Sequence, residues 1–222
     1  MRYNLIDFIR GLAFLCMLIH HIYYFNPNSF GVPGYVENIG VIARSLFLIL
    51  VGVSFNISNN KTICTKRNFE LLLGCAFVTI LTMLFLPSDN VVFFGVLHFI
   101  LVATILIKPI SNDIYLVIAV GFISYILSIK VKTLEATNDI FGLILGRYTI
   151  SRMPLDIFPI FKWLPYVCLG VVIGSYHEMF SKELSTSVCE PIEFIGRNSL
   201  YIYMLHLIPC IIWTSEKYKI AT

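Results

Sequence analysis

The chain has 222 residues, of which 58% are apolar and only 13% charged, and its mean hydropathy is +0.83. A soluble domain carries about 25% charged residues, so roughly half the charge needed to coat a globule is present. Disorder, a nucleic-acid-binding tail and an ordinary cytosolic enzyme are excluded, and a net charge of +3 is too balanced to imply a polyanionic partner.

Lipid is the expected solvent. Seven apolar runs follow in chain order, at about 5–25, 39–58, 69–86, 91–110, 113–131, 158–177 and 198–215, each near the length of about 20 residues that a crossing helix needs. The expected fold is all-α, a polytopic integral membrane bundle of about seven transmembrane helices. It forms one membrane-embedded domain over residues 1–222, with no room for a soluble partner domain. The first run has Asp7 and Arg10 near its start and no small-residue cleavage site after it, so it reads as a retained helix rather than a secretory signal. The piece from Lys132 to Ile157 has an apolar centre too short to cross, which leaves a surface or a re-entrant helix open. Six scattered cysteines, Cys16, Cys64, Cys75, Cys168, Cys189 and Cys210, have neither zinc-ligand nor disulfide-framework spacing, and no metal is expected.

Lysine and arginine in short loops set the orientation. Lys61, Lys66 and Arg67 follow the second run, whereas Asn26–Asn38 and Pro87–Asn90 contain neither residue type. The N-terminus is therefore expected in the cytoplasm, with the first loop outside. Lys130, Lys132, Arg147 and Arg152 fall on the other side of this scheme. The glycosylation patterns at Asn56 and Asn60 would face the cytoplasm and stay unmodified.

An ionisable side chain at mid-membrane costs about 2.5–3.5 kcal/mol on insertion scales, so those that bear this cost are informative. In the first run, Arg10 and His21 are eleven residues apart, roughly 1100° of helix, which brings them within about 20° of one face. Asp7 lies about 60° from that stripe and His20 about 80°, with Met17 and Tyr24 near it. The face carries a carboxylate and a guanidinium at its inner end and an imidazole with a phenol at its outer end. At 1.5 Å per residue the two ends are about 16 Å apart.

Arg44, His98, Asp156, Lys162, Trp163 and His206 add polar groups to the outer half on other helices, and Arg197 and Asn198 open the last run. Competing readings are an interfacial ion pair for Asp7 and Arg10, a headgroup-facing His21, and a core His98. Lys162 can snorkel, Trp163 can belong to an aromatic belt, and Asn198 or Ser199 can be a helix cap. An imidazole beside cationic or amide donors suits general-base acyl transfer.

Asp7-Phe8-Ile9-Arg10-Gly11 with His21 resembles the opening of the heparan-alpha-glucosaminide N-acetyltransferase catalytic-domain-like family, part of the transmembrane acyltransferase superfamily. Four more blocks match in order: Arg44 leading to Phe47–Ser54, Phe94–Ile100, Asp156–Trp163 and Gly196–His206. The resemblance implies an integral-membrane acetyltransferase that uses cytoplasmic acetyl-CoA and acetylates a sugar-like amine or hydroxyl acceptor on the far side of the membrane. His21 is then the catalytic position, with Asp7 and Arg10 as motif companions, and Arg44, His98, Asp156 and His206 are pocket residues. Lysosomal members carry a further histidine in the loop after this helix and an asparagine at the position of His21. Asn26–Tyr35 contains no histidine, so direct transfer in a ternary complex is expected.

In that scheme CoA phosphates meet Arg10 and Arg197, together with Lys61, Lys66 and Arg67. His206 or His98 assists His21, and Arg44 or Asn198 supports the oxyanion. The partners are the lipid bilayer and a small sugar-like acceptor, with no nucleic acid, and self-association into a homo-oligomer is left open. Two rival readings are a small transporter or permease, since intramembrane His, Arg and Asp also mark transport pathways, and a non-catalytic membrane scaffold with the same fold. No inverted repeat supports the first.

Overall fold

The computed structural model describes residues 3–25, 33–58, 62–63, 65–131, 140–147, 156–180 and 186–221, the side chains of 179–180 and 216–221 excepted. Among these residues all regular structure is helical. In chain order the helices are α1 (Asn4–Tyr24), α2 (Gly34–Ile57), α3 (Lys66–Phe85), α4 (Val96–Ile107), α5 (Ile114–Val131), α6 (Ile140–Leu145), α7 (Ile160–Gly174), α8 (Glu190–Arg197) and α9 (Ser199–Ala221). Short 3-10 turns occupy Ser88–Asn90, Lys108–Ile110 and His177–Phe180.

Each of the seven apolar runs contains a helix, but seven crossings do not follow. Four helices, α1, α2, α3 and α5, are long and apolar enough to span a membrane, or up to five spans if α8 and α9, bent by 82° where they meet, count as one. The fourth run opens with non-helical residues 91–95, and its α-helix stops where Lys108-Pro109-Ile110 tightens into a 3-10 turn. The sixth loses Phe158 and Pro159 at its start and Ser175, Tyr176 and His177 at its end. At 1.5 Å per residue, the remaining α4 and α7 are roughly 18 and 22 Å long, short of a hydrocarbon core of about 30 Å. Within Lys132–Ile157, the described residues include α6, six residues long; residues 132–139 and 148–155 lie outside the described residues, as do Asn60, Lys61 and Cys64.

The chain forms two compact units. One comprises Met1–Leu50 with His177–Thr222, and the other Val51–Tyr176.

In the first unit, α1 packs on α8 and α9. The approach to α8 is backbone on backbone: a Cβ at Gly11 would sit 2.1 Å from the Ile192 carbonyl oxygen, and one at Gly196 1.8 Å from that of Asp7. Small residues permit such crossings in membranes, where dispersion rather than the hydrophobic effect holds helices together. Helix α8 is built for this place. Pro191 lies in its first turn, where a missing N–H costs nothing. The Glu193 carboxylate reaches back to the N–H groups of Val188 (2.8 Å) and Cys189 (3.2 Å) and to the Ser187 hydroxyl (2.8 Å), which satisfies donors that the helix start leaves open.

In the second unit, α5 packs on α7 and α3 on α4. Pro165 lies inside α7 and has no N–H for the Phe161 carbonyl one turn earlier. Ser124 of α5 donates to that carbonyl at 3.2 Å, the substitution a low-dielectric medium demands of a broken ladder. Asn56 donates to the Val171 carbonyl at 3.0 Å, and Gly52 lets α2 touch α7 at Val167. Large apolar side chains such as Tyr115, Phe122 and Leu84 point outward, as lipid-facing positions do.

Candidate functional site

The face of α1 that meets α8 and α9 carries Asp7, Gly11, Phe14 and His21, spaced by four, three and seven residues. That period is helical, and it presents two polar ends to the C-terminal helices.

At the first end, Asp7 is buried and accepts from Arg10 Nη1 at 2.8 Å, while Arg197 Nε stands 3.9 Å from its other oxygen. Arg197 Nη2 donates to Glu193 at 3.0 Å, and Glu193 is fully buried. Arg10, Asp7, Arg197 and Glu193 are thus joined in one network across α1 and α8. Asn198, at the junction with α9, donates back to the Phe194 carbonyl at 2.9 Å, and its own carbonyl accepts from Ile202 N–H. It closes one helix and opens the next, about 12 Å along α9 from His206 at 1.5 Å per residue.

At the second end, His21 Nδ1 and His206 Nε2 are 2.9 Å apart, so one of these nitrogens carries the hydrogen and the other accepts it. The rings are nearly parallel, at 11°, and Phe14 and Tyr203 set their edges against His206. His20 is buried beside them, its ring lying over Gly40, where a Cβ would come within 2.4 Å of it. Its Nε2 meets Glu37 at 2.9 Å, and the other Glu37 oxygen accepts from Arg44 Nη2 at 2.8 Å. Arg44 Nε also donates to the Gly40 carbonyl at 3.1 Å. Tyr24 is exposed and stacks on His20, so the phenol expected beside His21 belongs to the neighbouring histidine.

The remaining expected residues belong to the second unit. His98 Nε2 is 3.1 Å from the Thr79 hydroxyl, which donates to the Val92 carbonyl at 2.9 Å. A hydroxyl has one hydrogen to give, so His98 is the donor in its own bond and its Nδ1 keeps the lone pair. That Nδ1 is buried with no hydrogen-bond partner among the described residues. Asp156 accepts from Val96 N–H at 2.9 Å, a carboxylate seated at the N-terminus of α4. Phe158 N–H donates to the Phe94 carbonyl at 3.1 Å, so the Phe94–Ile100 and Asp156–Trp163 blocks are tied to each other. Trp163 is buried between Phe158 and Tyr166, and Lys162, exposed, holds its ammonium 5.1 Å from the Trp163 ring centroid.

The expected residues therefore fall into three groups, with Asn198 apart at the α8–α9 junction: Asp7, Arg10 and Arg197; His21, His206 and Arg44; and, in the second unit, His98, Asp156, Lys162 and Trp163. Glu37 and Glu193 were not anticipated, although each holds an expected arginine. Glu37 escapes because α2 begins at Gly34, five residues before its apolar run, with a polar first turn directly after Pro33. Glu193 has a readable signal: a proline and a glutamate open an amphipathic stretch ahead of Gly196-Arg197.

The model of the family described as heparan-alpha-glucosaminide N-acetyltransferase, catalytic, matches residues 2–208. No curated protein and no solved structure matches the chain.

Proposed function

The chain belongs to the heparan-alpha-glucosaminide N-acetyltransferase catalytic family, and from that premise we propose how it works as a transmembrane acetyltransferase. The donor is acetyl-CoA, offered from the cytoplasmic side on which the N-terminus lies. The acceptor is a sugar-like amine or hydroxyl on the far side, and His21 is the general base. The observation that carries this reading is the 2.9 Å pairing of His21 Nδ1 with His206 Nε2.

When His21 donates from Nδ1 to His206, its own Nε2 holds a lone pair, the form that a base requires. The acceptor N–H or O–H gives its proton to Nε2 as the new bond to the acetyl carbonyl carbon forms. Collapse of the tetrahedral intermediate breaks the C–S bond, and the proton on His21 passes to the departing CoA thiolate. Of the two donors expected for the oxyanion, Arg44 is the better supported, since Glu37 joins it to His20 beside His21 while Asn198 is committed to the α8–α9 junction. His206 rather than His98 is the assisting histidine, because it is His206 whose Nε2 lies 2.9 Å from His21 Nδ1. Arg10 and Arg197 take the CoA phosphates, and the Asp7–Glu193 network holds the two arginines in place.

The test is acetyl transfer by purified protein from labelled acetyl-CoA to a panel of sugars and amines. His21→Ala lowers kcat about 10²–10⁴-fold while acetyl-CoA binding persists. Unchanged turnover removes His21 from the chemistry. Substrate flux across vesicles without CoA consumption replaces the enzyme reading with a transporter.

A further inference from the structure

In the proposed reaction the acceptor arrives from the side at which α1 ends, and the last residue of α1 is an exposed ring. Tyr24 is 43% exposed and stacks on His20, with ring centroids 5.6 Å apart and planes at 18°. His20 in turn lies 5.8 Å from His21 between centroids. Tyr24, His20 and His21 thus form a chain of ring contacts from the surface to the base. All three belong to the first unit.

The support for Tyr24 is fixed. His20 is buried over Gly40 and joined through Nε2 to Glu37 at 2.9 Å, and the second Glu37 oxygen accepts from Arg44 at 2.8 Å. A carboxylate has about four lone-pair sites. These two bonds occupy one site on each oxygen, and the Glu37 side chain is about half exposed, so acceptor capacity remains on the surface next to the stack.

An exposed tyrosine at a helix end can serve simply as part of an aromatic belt among lipid headgroups. A belt residue needs no seat, whereas Tyr24 rests on a histidine that a carboxylate and a guanidinium hold in place. A rigid ring beside polar groups is how a small-molecule site fixes its ligand. A sugar ring is complementary to this surface: its C–H face lies against an aromatic face, and its hydroxyls donate to a carboxylate. A linear amine offers no such face.

We propose that Tyr24, backed by His20 and flanked by Glu37, seats the ring of the acceptor and makes the enzyme selective for cyclic polyhydroxylated acceptors over linear amines. This seat rests on the function proposed above and adds to it the residues that choose the acceptor.

The experiment uses the full chain in phosphatidylcholine bilayers, comparing wild type, Tyr24→Leu, Tyr24→Phe and Tyr115→Leu. Tyr115 is an exposed tyrosine at the start of α5 in the second unit and is the belt control. Steady-state transfer is read with glucosamine and with ethanolamine as acceptors, and binding of methyl glucoside without donor is read by saturation-transfer NMR. Tyr24→Leu should raise the glucosamine KM roughly tenfold, with kcat, the acetyl-CoA KM and the ethanolamine KM little changed. Tyr24→Phe should keep most of the glucosamine affinity, since the ring face remains, and Tyr115→Leu should match wild type. An unchanged glucosamine KM in folded Tyr24→Leu overturns the seat, as does an equal rise for Tyr115→Leu or for both acceptors. Should Tyr24→Leu fail to fold, the wild type decides: equal KM values for glucosamine and ethanolamine overturn the seat, and a lower one for glucosamine supports it. A wild type that transfers no acetyl group overturns the proposed function instead. Methyl glucoside binding then decides the seat, which stands if Tyr24→Leu abolishes that binding and falls if binding persists or the wild type shows none.

Discussion

Gly196→Ala is a sharp test of how α1 and α8 are held. The added Cβ would lie 1.8 Å from the Asp7 carbonyl oxygen, 2.7 Å from its carbon and 2.9 Å from Gly11 N, all backbone atoms that no rotamer change can move. Ordinary contact is near 3.5 Å, so α1 must retreat by roughly 1.5 Å. The mirror contact offers no slack, because Gly11 already meets Ile192. Forcing a methyl into a packed crossing costs about 1–3 kcal/mol. Gly196 is next to last in α8, so little of alanine's helix advantage over glycine, about 1 kcal/mol in a helix interior, offsets that. A net loss of about 1–2 kcal/mol corresponds to a thermal midpoint lower by roughly 2–8 °C for a chain of this size. The same retreat carries Asp7 away from Arg197, already at 3.9 Å, so acetyl transfer falls at temperatures where the protein stays folded. Gly34→Ala is the control, since a Cβ there meets nothing within 4 Å, and its midpoint should stay level or rise. Thermal unfolding in detergent reads all three proteins. Equal midpoints for Gly196→Ala and Gly34→Ala would refute the close crossing.

Other consequences are testable in the same preparation. His206→Phe keeps a ring against Phe14 but removes the partner of His21 Nδ1; kcat should drop about 10–100-fold with a smaller change in KM, and wild-type turnover would show that the pairing has no catalytic part. Glu37→Gln weakens the hold on both His20 and Arg44. Because this side chain is about half exposed, transfer should fall less than tenfold with the midpoint nearly constant, and a large loss of stability would mean that its role is in folding. Asp156→Ala removes the carboxylate from the start of α4 and should destabilise by about 0.5–2 kcal/mol, read as a lower midpoint, whereas Asp156→Asn should recover most of it. Ser124→Ala leaves the Phe161 carbonyl beside Pro165 without its donor; a cost of about 0.6 kcal/mol, the average for such bonds in a membrane bundle, is expected by unfolding titration.

Apolar run length and side-chain period were enough to establish that this chain is a helical membrane protein. Both are properties of local sequence, and the periodicity argument that put Arg10 and His21 on one side of α1 needs only a regular helix. The same period places Asp7, Gly11, Phe14 and His21 on the face that meets the C-terminal helices. Helix length was less legible. Hydropathy does not register that Val91–Gly95, Phe158–Pro159 and Ser175–His177 lie outside the α-helices, so two runs of spanning length contain helices that are too short.

Partnership was decided by tertiary structure alone. His21 and His206 are 185 residues apart, and no local pattern announces that their nitrogens share a hydrogen. His20 lies about 80° off the Arg10–His21 stripe, yet it is buried against Gly40 and joined to Glu37, a residue outside any apolar run. Arg197, read as a phosphate ligand, is held in place by carboxylates that no local pattern pairs with it, donating to Glu193 and standing close to Asp7. Asp156 belongs to the start of a helix 60 residues earlier in the chain. A polar group inside a membrane must find a partner because lipid offers none. Sequence shows which groups carry that obligation, but only the packing of helices distant along the chain determines which partner meets it.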